Sequence, residues 1–187
     1  MHIPIIQSQW QGFRVDSLTP DHVLDIWPEP TYPRGREAKH LSDLWEKISS
    51  EGDAGVLLLG CDIAADPDDY IAISSAARLR PELVHTGMVK LWPGSTGRRE
   101  WMWSHRGGKI GVPEATQLDP IRIAYFSLGF LYVPRRLMDL SFPAHANWSW
   151  GTMDTGMSEL AWRHGIRTRA VYDATPKHLH FTPAHNR

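Results

Sequence analysis

The first residue placed to do chemistry is Asp62, which follows a short, continuous apolar run. Residues 55–59 are typical of a central strand covered on both faces, and they lead through Gly60 and Cys61 to the carboxylate. In α/β proteins, an acidic side chain just past a buried strand leaves the sheet for the crevice where a metal or a phosphate-bearing ligand is held. Asp62 is therefore a candidate to bind a metal or a phosphate-bearing ligand. The alternative is that its carboxylate only caps a polar group of the nearby loop.

A basic, tryptophan-rich segment at residues 88–109 offers a second kind of chemistry. Its single acidic residue, Glu100, is outnumbered by five basic residues, and three tryptophans lie among them: Lys90, Arg98, Arg99, Arg106 and Lys109, with Trp92, Trp101 and Trp103. Positive charge beside flat apolar rings suits a polyanion that carries bases. The alternative is that the tryptophans are ordinary core residues.

Two helices are predicted around the apolar run that precedes Asp62. Residues 36–49 place Ala38, Leu41, Trp45 and Ile48 at helical spacing, which predicts an amphipathic helix. After the run, Asp66 is typical of an N-cap, Pro67 of the first helical position, and two acids of the first turn, so a second helix is predicted to about residue 79.

The remaining elements are shorter. Strands are predicted at residues 1–6, 13–15, 83–92, 121–133 and 169–172, a short helix at 134–138, and a last helix at 154–164 that Gly165 ends. This alternation predicts an α/β fold with a partly parallel sheet and ligand sites at the carboxyl ends of its strands. Without repeats or an evident linker, residues 1–187 are predicted to form one domain, with a donor and metal half at 1–87 and an acceptor half at 88–187.

Composition excludes several classes of protein. Apolar residues make up 42% and charged residues 22% of the 187 residues, which is typical of a globular chain rather than a disordered or coiled-coil one. The single cysteine, Cys61, excludes a disulfide framework and a multi-cysteine zinc cluster. The apolar runs are too short to span a bilayer and the first residues do not resemble a signal peptide, so a cytoplasmic location is expected.

Charge is distributed unevenly along the chain. Residues 1–70 carry 5 basic and 13 acidic residues, whereas residues 71–187 carry 15 and 8. The two regions are therefore expected to face different partners, or each other.

The segment from Phe142 to Gly165 resembles a known acceptor-site motif. It reads Phe-Pro-Ala-His-Ala-Asn-Trp-Ser-Trp-Gly-Thr-Met-Asp at residues 142–154 and continues into the predicted last helix. In nucleotide-sugar-dependent glycosyltransferases of the GT-A fold, a Phe-Pro loop similarly leads to Trp-Gly-Trp-Gly-Gly-Glu-Asp and a helix that ends in glycine.

Two upstream segments extend the resemblance. Residues 127–137 are similar to the small-residue strand and short helix of that family, and residues 55–62 to the strand that ends in its Asp-x-Asp metal signature. The resemblance covers residues 52–75 and 121–181 in the family's order. It implies a GT-A-like, Rossmann-like mixed and mostly parallel sheet flanked by helices, in a small glycosyltransferase.

The resemblance implies roles for two carboxylates. Asp62 matches the second aspartate of the metal signature, which implies a divalent cation, Mn²⁺ or Mg²⁺, to neutralise the charge on the departing diphosphate. Asp154 matches the general base that takes the acceptor's proton, which implies direct displacement with inversion. Because the last helix is predicted at residues 154–164, Asp154 is expected in its first turn, where the helix macrodipole favours the ionised carboxylate. It could instead be only a helix-terminal charge.

A histidine late in the chain completes the metal shell in that family, and His178 and His180 are the candidates here. Alternate residues of an extended segment point the same way, so both imidazoles could face one crevice. His178 is favoured, and the alternative is that both are surface histidines. The same resemblance implies contact with the sugar or acceptor by Trp150 and its neighbours Trp148, Gly151 and Thr152.

The sequence departs from the family at two functional positions. Gly60 stands at the first aspartate of Asp-x-Asp, which implies a weaker metal site. Met153 stands at the glutamate before the base, so the acceptor would lose that hydrogen bond or take it from Thr152 or Thr155. The N-terminal nucleotide-binding region is also short.

The candidate donor-binding residues are therefore few. Asp16 is the candidate for contact with the nucleotide base, with Arg34, Arg36 and Cys61 as further candidates and a UDP-sugar as the favoured donor. The two arginines could instead be exposed partners of Glu37 and Asp43.

The acceptor is predicted from the basic segment. Arg98, Arg99, Arg106, Trp101 and Trp103 favour a hydroxylated base in DNA, as in small enzymes that modify phage genomes, which would place the protein in the host cytoplasm. A net charge of -1 argues against a nucleic-acid partner. If Arg98, Arg99 and Arg106 only flank a glycine-rich hairpin, the acceptor would instead be a saccharide or a lipid-linked sugar. Two other classes stay open: a metal-dependent phosphoesterase that recruits Asp66 and Asp68, and a non-catalytic nucleic-acid-binding module.

Overall fold

The structure is a computed structural model that describes residues 2–10, 12–26, 36–52, 54–87, 90–91, 102–104, 109–110, 123–125, 129–141 and 150–179. These residues form both strands and helices. The strands are β1 (Ile5–Trp10), β2 (His22–Ile26), β3 (Val56–Leu59), β4 (Ile63–Ala64), β5 (Val84–Gly87), β6 (Lys90–Leu91), β7 (Met102–Ser104), β8 (Lys109–Ile110), β9 (Ile123–Tyr125), β10 (Phe130–Val133), β11 (Thr168–Val171) and β12 (Lys177–His178). The helices are α1 (Arg36–Glu51), α2 (Pro67–Leu79), α3 (Arg135–Ser141) and α4 (Trp150–Arg163).

The large sheet has the strand order β2-β1-β3-β10-β5-β11-β9-β7-β8. Strand β1 pairs in parallel with β2 and with β3, and β5 pairs in parallel with β11. Strand β10 lies antiparallel between β3 and β5. Five of the first six strands in this order therefore run the same way, which confirms the predicted mixed, mostly parallel sheet.

Helices cover both faces of the sheet because β3 is apolar on both sides. Val56 and Leu58 join a core cluster with residues of α1, α3 and α4, whereas Leu57 and Leu59 join a second cluster with residues of α2. All four residues of β3 are at most 1% exposed. The continuous apolar run thus forms the predicted central strand.

Local signals account well for α2. The Asp66 side chain accepts from the backbone N–H groups of Asp68 and Asp69, and the Asp69 carboxylate accepts from the Asp66 N–H, which forms a capping box. Pro67 occupies the first turn, as predicted. Gly165 follows α4 with φ of +66°, the conformation expected of a helix stop.

Several predicted boundaries were wrong. The first strand is Ile5–Trp10 rather than residues 1–6. Residues 13–15 do not form a strand, because the chain reverses at Gly12 (φ +82°) and Phe13 forms an isolated bridge back to Trp10. The second strand is His22–Ile26 instead. The last helix begins at Trp150, four residues before the predicted start.

A small second sheet has the order β4-β12-β6. Its strands follow, in sequence, the carboxyl ends of β3, β11 and β5. Within the described residues, no helix is both long and apolar enough to cross a membrane.

Candidate functional site

The carboxyl ends of β1, β3, β5 and β11 share one edge of the large sheet, because these strands run in the same direction. Strand β10 begins at this edge, where the Gly60 N–H donates to the Gly129 carbonyl at 2.7 Å. Ligands of open α/β sheets bind outside such an edge, where neighbouring loops diverge. A ligand-binding site is therefore expected at this edge of the sheet.

Asp62 and His178 meet there, although they are far apart in sequence. Asp62 Oδ2 lies 2.8 Å from His178 Nε2. Strand β12 pairs antiparallel with β4, which places His178 opposite Ile63, and the Leu179 N–H donates to the Asp62 carbonyl at 2.8 Å. The side chains of His178 and Asp62 are 20% and 32% exposed, so solvent and small ligands can reach them.

The pair has the chemistry of a divalent-cation site. Carboxylate oxygen and imidazole nitrogen both bind such ions. Their 2.8 Å separation is close to the about 3 Å between neighbouring ligand atoms of an octahedral cation with bonds of about 2.1 Å. No group of three or more His, Cys, Asp or Glu side chains able to hold a metal occurs among the described residues. Asp62 and His178 therefore fit a cation that takes its other ligands from water and phosphate oxygens.

The structure explains the glycine at position 60. A Cβ placed there would lie 2.9 Å from Ile63 Cγ1 and 3.2 Å from Asp62 Oδ1, and 3.5 Å from the Gly129 Cα. A second carboxylate at this position would press on the side chain of Asp62 itself. In this tight turn beyond β3 the Ile63 N–H donates to the Gly60 carbonyl at 3.2 Å, and a larger residue at position 60 would require the side chains of Ile63 and Asp62 to shift.

Asp16 lies in the loop between β1 and β2. It is exposed and directly follows Val15, whose N–H donates to the Cys61 carbonyl at 2.8 Å. Ser17 fixes the same loop to Ala65, because its hydroxyl donates to the Ala65 carbonyl at 3.0 Å and accepts from the Ala65 N–H at 2.8 Å. Asp16 thus belongs to a loop held beside residues 61–65, but it does not end a second strand as predicted.

Cys61 is half-buried at this edge. Burial raises the pKa of its thiol, the neighbouring Asp62 charge raises it further, and an interaction with Ser8 acts in the opposite direction. The thiol is therefore protonated at neutral pH, so it serves as a small apolar side chain rather than a nucleophile.

Sequence reasoning missed a polar network on the loop that carries Asp16. The Arg14 guanidinium donates to Gln7 Oε1 at 2.7 Å, and Gln7 Nε2 donates to the Val15 carbonyl at 3.3 Å. Gln7 is completely buried in β1. A glutamine within the apolar start of β1 was the available signal, because a buried amide needs partners.

Asp66 and Asp68 do not join Asp62. The Asp66 carboxylate is engaged as the N-cap of α2, and both residues are exposed at the start of that helix. The phosphoesterase alternative, which needed these acids in one metal shell, has no support in this arrangement. Asp43, one of the two acids suggested as a partner of Arg34 or Arg36, pairs with Lys39, with Nζ–Oδ2 at 2.7 Å.

Several predicted site residues are described by their backbone alone. Arg36 begins α1, Trp103 lies in β7, and Trp150, Gly151, Thr152 and Asp154 lie in α4. Because α4 begins at Trp150, Asp154 is its fifth residue and not part of its first turn. The helix-dipole argument for its ionised form therefore fails, since that effect fades beyond the first turn.

The other predicted site residues lie outside the described residues. These are Arg34, Arg98, Arg99, Trp101, Arg106, Trp148 and His180.

No protein-family model and no curated protein matches the chain. Forty-six chains of solved structures do match it, and the strand order together with the match described next shows a GT-A-like α/β fold. One is the crystal structure of GalNAc-T7 with UDP, GalNAc and Mn²⁺, with a TM-score of 0.52 and 11% sequence identity. The match covers 97% of this chain and 44% of that chain, so this protein spans less than half of the solved chain's length. At this identity the likeness shows the fold alone.

Proposed function

We propose that the protein is a metal-dependent glycosyltransferase that moves a sugar from a nucleotide-sugar donor to an acceptor hydroxyl. The observation that carries this proposal is the contact between Asp62 and His178 at the carboxyl edge of a GT-A-like sheet, at 2.8 Å. The solved neighbour that contains UDP and Mn²⁺ supports a UDP-sugar as donor and Mn²⁺ or Mg²⁺ as cation.

The proposed chemistry assigns each residue a simple task. Asp62 and His178 hold the cation, which supplies the positive charge that stabilises the departing diphosphate. Asp154 takes the proton of the acceptor hydroxyl while that oxygen attacks the anomeric carbon, and the carbon–diphosphate bond breaks on the opposite side with inversion. Trp148, Trp150, Gly151 and Thr152 border the sugar and acceptor, where an indole ring can pack on a sugar face. Asp16, Arg34, Arg36 and Cys61 border the nucleotide.

The first experiment is a thermal-shift panel of UDP-, GDP- and TDP-sugars with and without Mn²⁺. A ligand that binds only the folded protein raises its melting temperature. We expect a rise with one nucleotide class that requires Mn²⁺ and that EDTA reverses. Full transfer activity after exhaustive chelation would contradict the metal-dependent mechanism.

Removal of either cation ligand should abolish the effect. Asp62→Asn and His178→Gln should each lose the Mn²⁺-dependent thermal shift and lower sugar transfer by at least about 100-fold, because even groups that only support a metal ligand are worth 10- to 100-fold. His2→Gln is the matched control, since His2 Nε2 also contacts a carboxylate oxygen, Asp21 Oδ1, at 2.9 Å, but on an exposed surface. Equal activity in the two site variants and the control would rule out the proposed cation site.

Asp154→Asn separates catalysis from binding. It should lose sugar transfer and keep the Mn²⁺-dependent donor shift, since the carboxylate acts on the acceptor. No turnover of any sugar nucleotide by the wild type, together with retained DNA binding, would instead favour the non-catalytic binding module.

For the acceptor we propose a hydroxylated base in DNA, on the basis of residues 88–109. Their positive charge and indole rings suit a polyanion with stacking bases. Transfer to a saccharide or a lipid-linked sugar, with no transfer to hydroxylated DNA, would favour the alternative acceptor class.

A further inference from the structure

Asp69 is a buried carboxylate of α2 that binds two separate parts of the chain. It is 6% exposed. Its Oδ2 accepts from the Asp66 N–H at 3.0 Å, which completes the capping box. Its Oδ1 accepts from the Thr175 N–H at 2.6 Å, across 106 residues of sequence. The second bond ties α2 to the turn between β11 and β12.

That turn is packed as well as hydrogen-bonded. Ala174 is completely buried in the core cluster on the α2 face, and its N–H donates to the Val171 carbonyl at 3.2 Å. Gly87 lies against it, since a Cβ there would lie 3.4 Å from the Ala174 carbonyl oxygen and 2.5 Å from Phe130 Cδ1. The turn therefore has little freedom while Asp69 holds it.

His178 follows Thr175 closely and is tied on its other side too. His178 is three residues from Thr175, and three residues of extended chain span at most about 11 Å. A displacement of Thr175 therefore also displaces the His178 imidazole. Beyond His178, the Leu179 N–H donates to the Asp62 carbonyl at 2.8 Å. His178 therefore lies between two residues held by hydrogen bonds: Thr175, which donates to Asp69, and Leu179, which donates to the Asp62 carbonyl.

We propose that Asp69 is a positioning residue for the cation site, because its bond to the Thr175 N–H holds His178 against Asp62. This inference rests on the proposed function, because it assumes that Asp62 and His178 hold a cation. The helix itself does not need the bond, since Asp66 alone caps the N–H groups of Asp68 and Asp69. The side chain that binds Thr175 never touches the cation.

The test compares Asp69→Ala and Asp69→Asn with Asp66→Ala. Asp66→Ala weakens the start of the same helix and leaves the Thr175 bond intact. Asp69→Asn keeps the side-chain volume and loses one of the two acceptor oxygens, so it serves if the alanine variant folds poorly. Mn²⁺ affinity is measured from the electron paramagnetic resonance of free Mn²⁺, and urea unfolding compares the stabilities.

We expect Asp69→Ala to weaken Mn²⁺ binding about tenfold, the range found for groups that orient metal ligands. Asp69→Asn should weaken it less, because the amide oxygen that remains can still accept from the Thr175 N–H. Amide hydrogen exchange of the Thr175 and Leu179 N–H groups should become faster in the same variants. Asp66→Ala should bind Mn²⁺ like the wild type despite its lower stability.

Four outcomes would overturn the inference, and one of them concerns more than Asp69. Wild-type Mn²⁺ affinity in both Asp69 variants, or an equal loss in Asp66→Ala, would reduce Asp69 to a stabilising role. An unchanged rate of hydrogen exchange at the Leu179 N–H in Asp69→Ala would show that loss of the Asp69–Thr175 hydrogen bond does not affect the structure beside Asp62. Absence of Mn²⁺ binding by the wild type would overturn the proposed metal site together with its positioning residue.

Discussion

His85 is a completely buried imidazole on β5, on the sheet face covered by α2. Its Nε2 lies 2.9 Å from the Arg80 carbonyl, which assigns the ring proton to Nε2, and Nδ1 has no hydrogen-bond partner in the described part of the chain. Burial lowers the pKa of His85, and the Arg80 carbonyl bond opposes that change. Among nearby charges, Arg169 and Arg80 lower the pKa and Glu82 raises it.

This residue predicts a loss of stability in mild acid. The unfolded chain binds a proton near the ordinary pKa of 6.5, whereas the folded chain resists it because its pKa is lower. The contribution of His85 to stability is therefore complete above that pH and declines as the pH falls below it. Urea unfolding between pH 7.5 and 5 should show this decline in the wild type and a smaller one in His85→Gln. His164→Gln, at an exposed histidine, should behave like the wild type, and an unchanged decline in His85→Gln would refute the assignment.

The junction between β3 and β10 depends on a close approach at Gly55. A Cβ at this position would lie 2.2 Å from the Val133 carbonyl oxygen and 2.8 Å from the Tyr132 ring and hydroxyl. Backbone cannot yield as a flexible side chain can, so the spacing between β10 and the entry to β3 requires glycine. Asp62 lies at the other end of the same strand, which makes β3 the support of the site.

Gly55→Ala should therefore destabilise the protein by about 1–3 kcal/mol or more, the range for forced overpacking. Gly52→Ala is the control, because a Cβ there meets no atom within 4 Å. Urea unfolding of both variants measures the difference. Equal stability of the two variants would show that the junction can relax.

At the scale of the whole molecule, the acidic and basic regions of the chain form adjoining parts of the large sheet. Strands β2, β1 and β3 of the acidic region lie side by side, and β10 of the basic region pairs with β3. The predicted division into a donor half and an acceptor half at residue 87 remains a proposal. The unequal charge of the two regions matters most for a polyanionic acceptor, because counterion release makes such binding depend on salt.

Reversal of charge at Arg98 and Arg99 should weaken DNA binding and reduce the salt slope by roughly 2, since each lost phosphate contact removes about 0.9. Binding titrations at several salt concentrations measure this slope. Reversal at Lys39 and Lys47, two exposed lysines of α1, changes the net charge equally and should leave the slope near its wild-type value. An unchanged slope in the arginine variant would favour the saccharide or lipid-linked acceptor.

Local residue patterns determined several elements of this protein in advance. The spacing of Leu41, Trp45 and Ile48 predicted α1, and Asp66 with Pro67 predicted the start of α2, because capping and amphipathic periodicity act over a few residues. The apolar run before Asp62 predicted a strand buried on both faces. The apolar face of Met157, Leu160 and Ala161 predicted α4, but the helix begins at Trp150 and not at Asp154.

Tertiary structure alone decided which residues meet. Asp62 and His178 are separated by 116 residues, and their contact depends on the pairing of β12 with β4 and on the tie between Asp69 and Thr175. The insertion of β10 between β3 and β5 likewise joins strands far apart in the chain. The sequence by itself therefore determined several of the elements and named Asp62 and His178 as candidates. Their union in one site required the folded sheet, because register and strand order arise from long-range packing that no local pattern encodes.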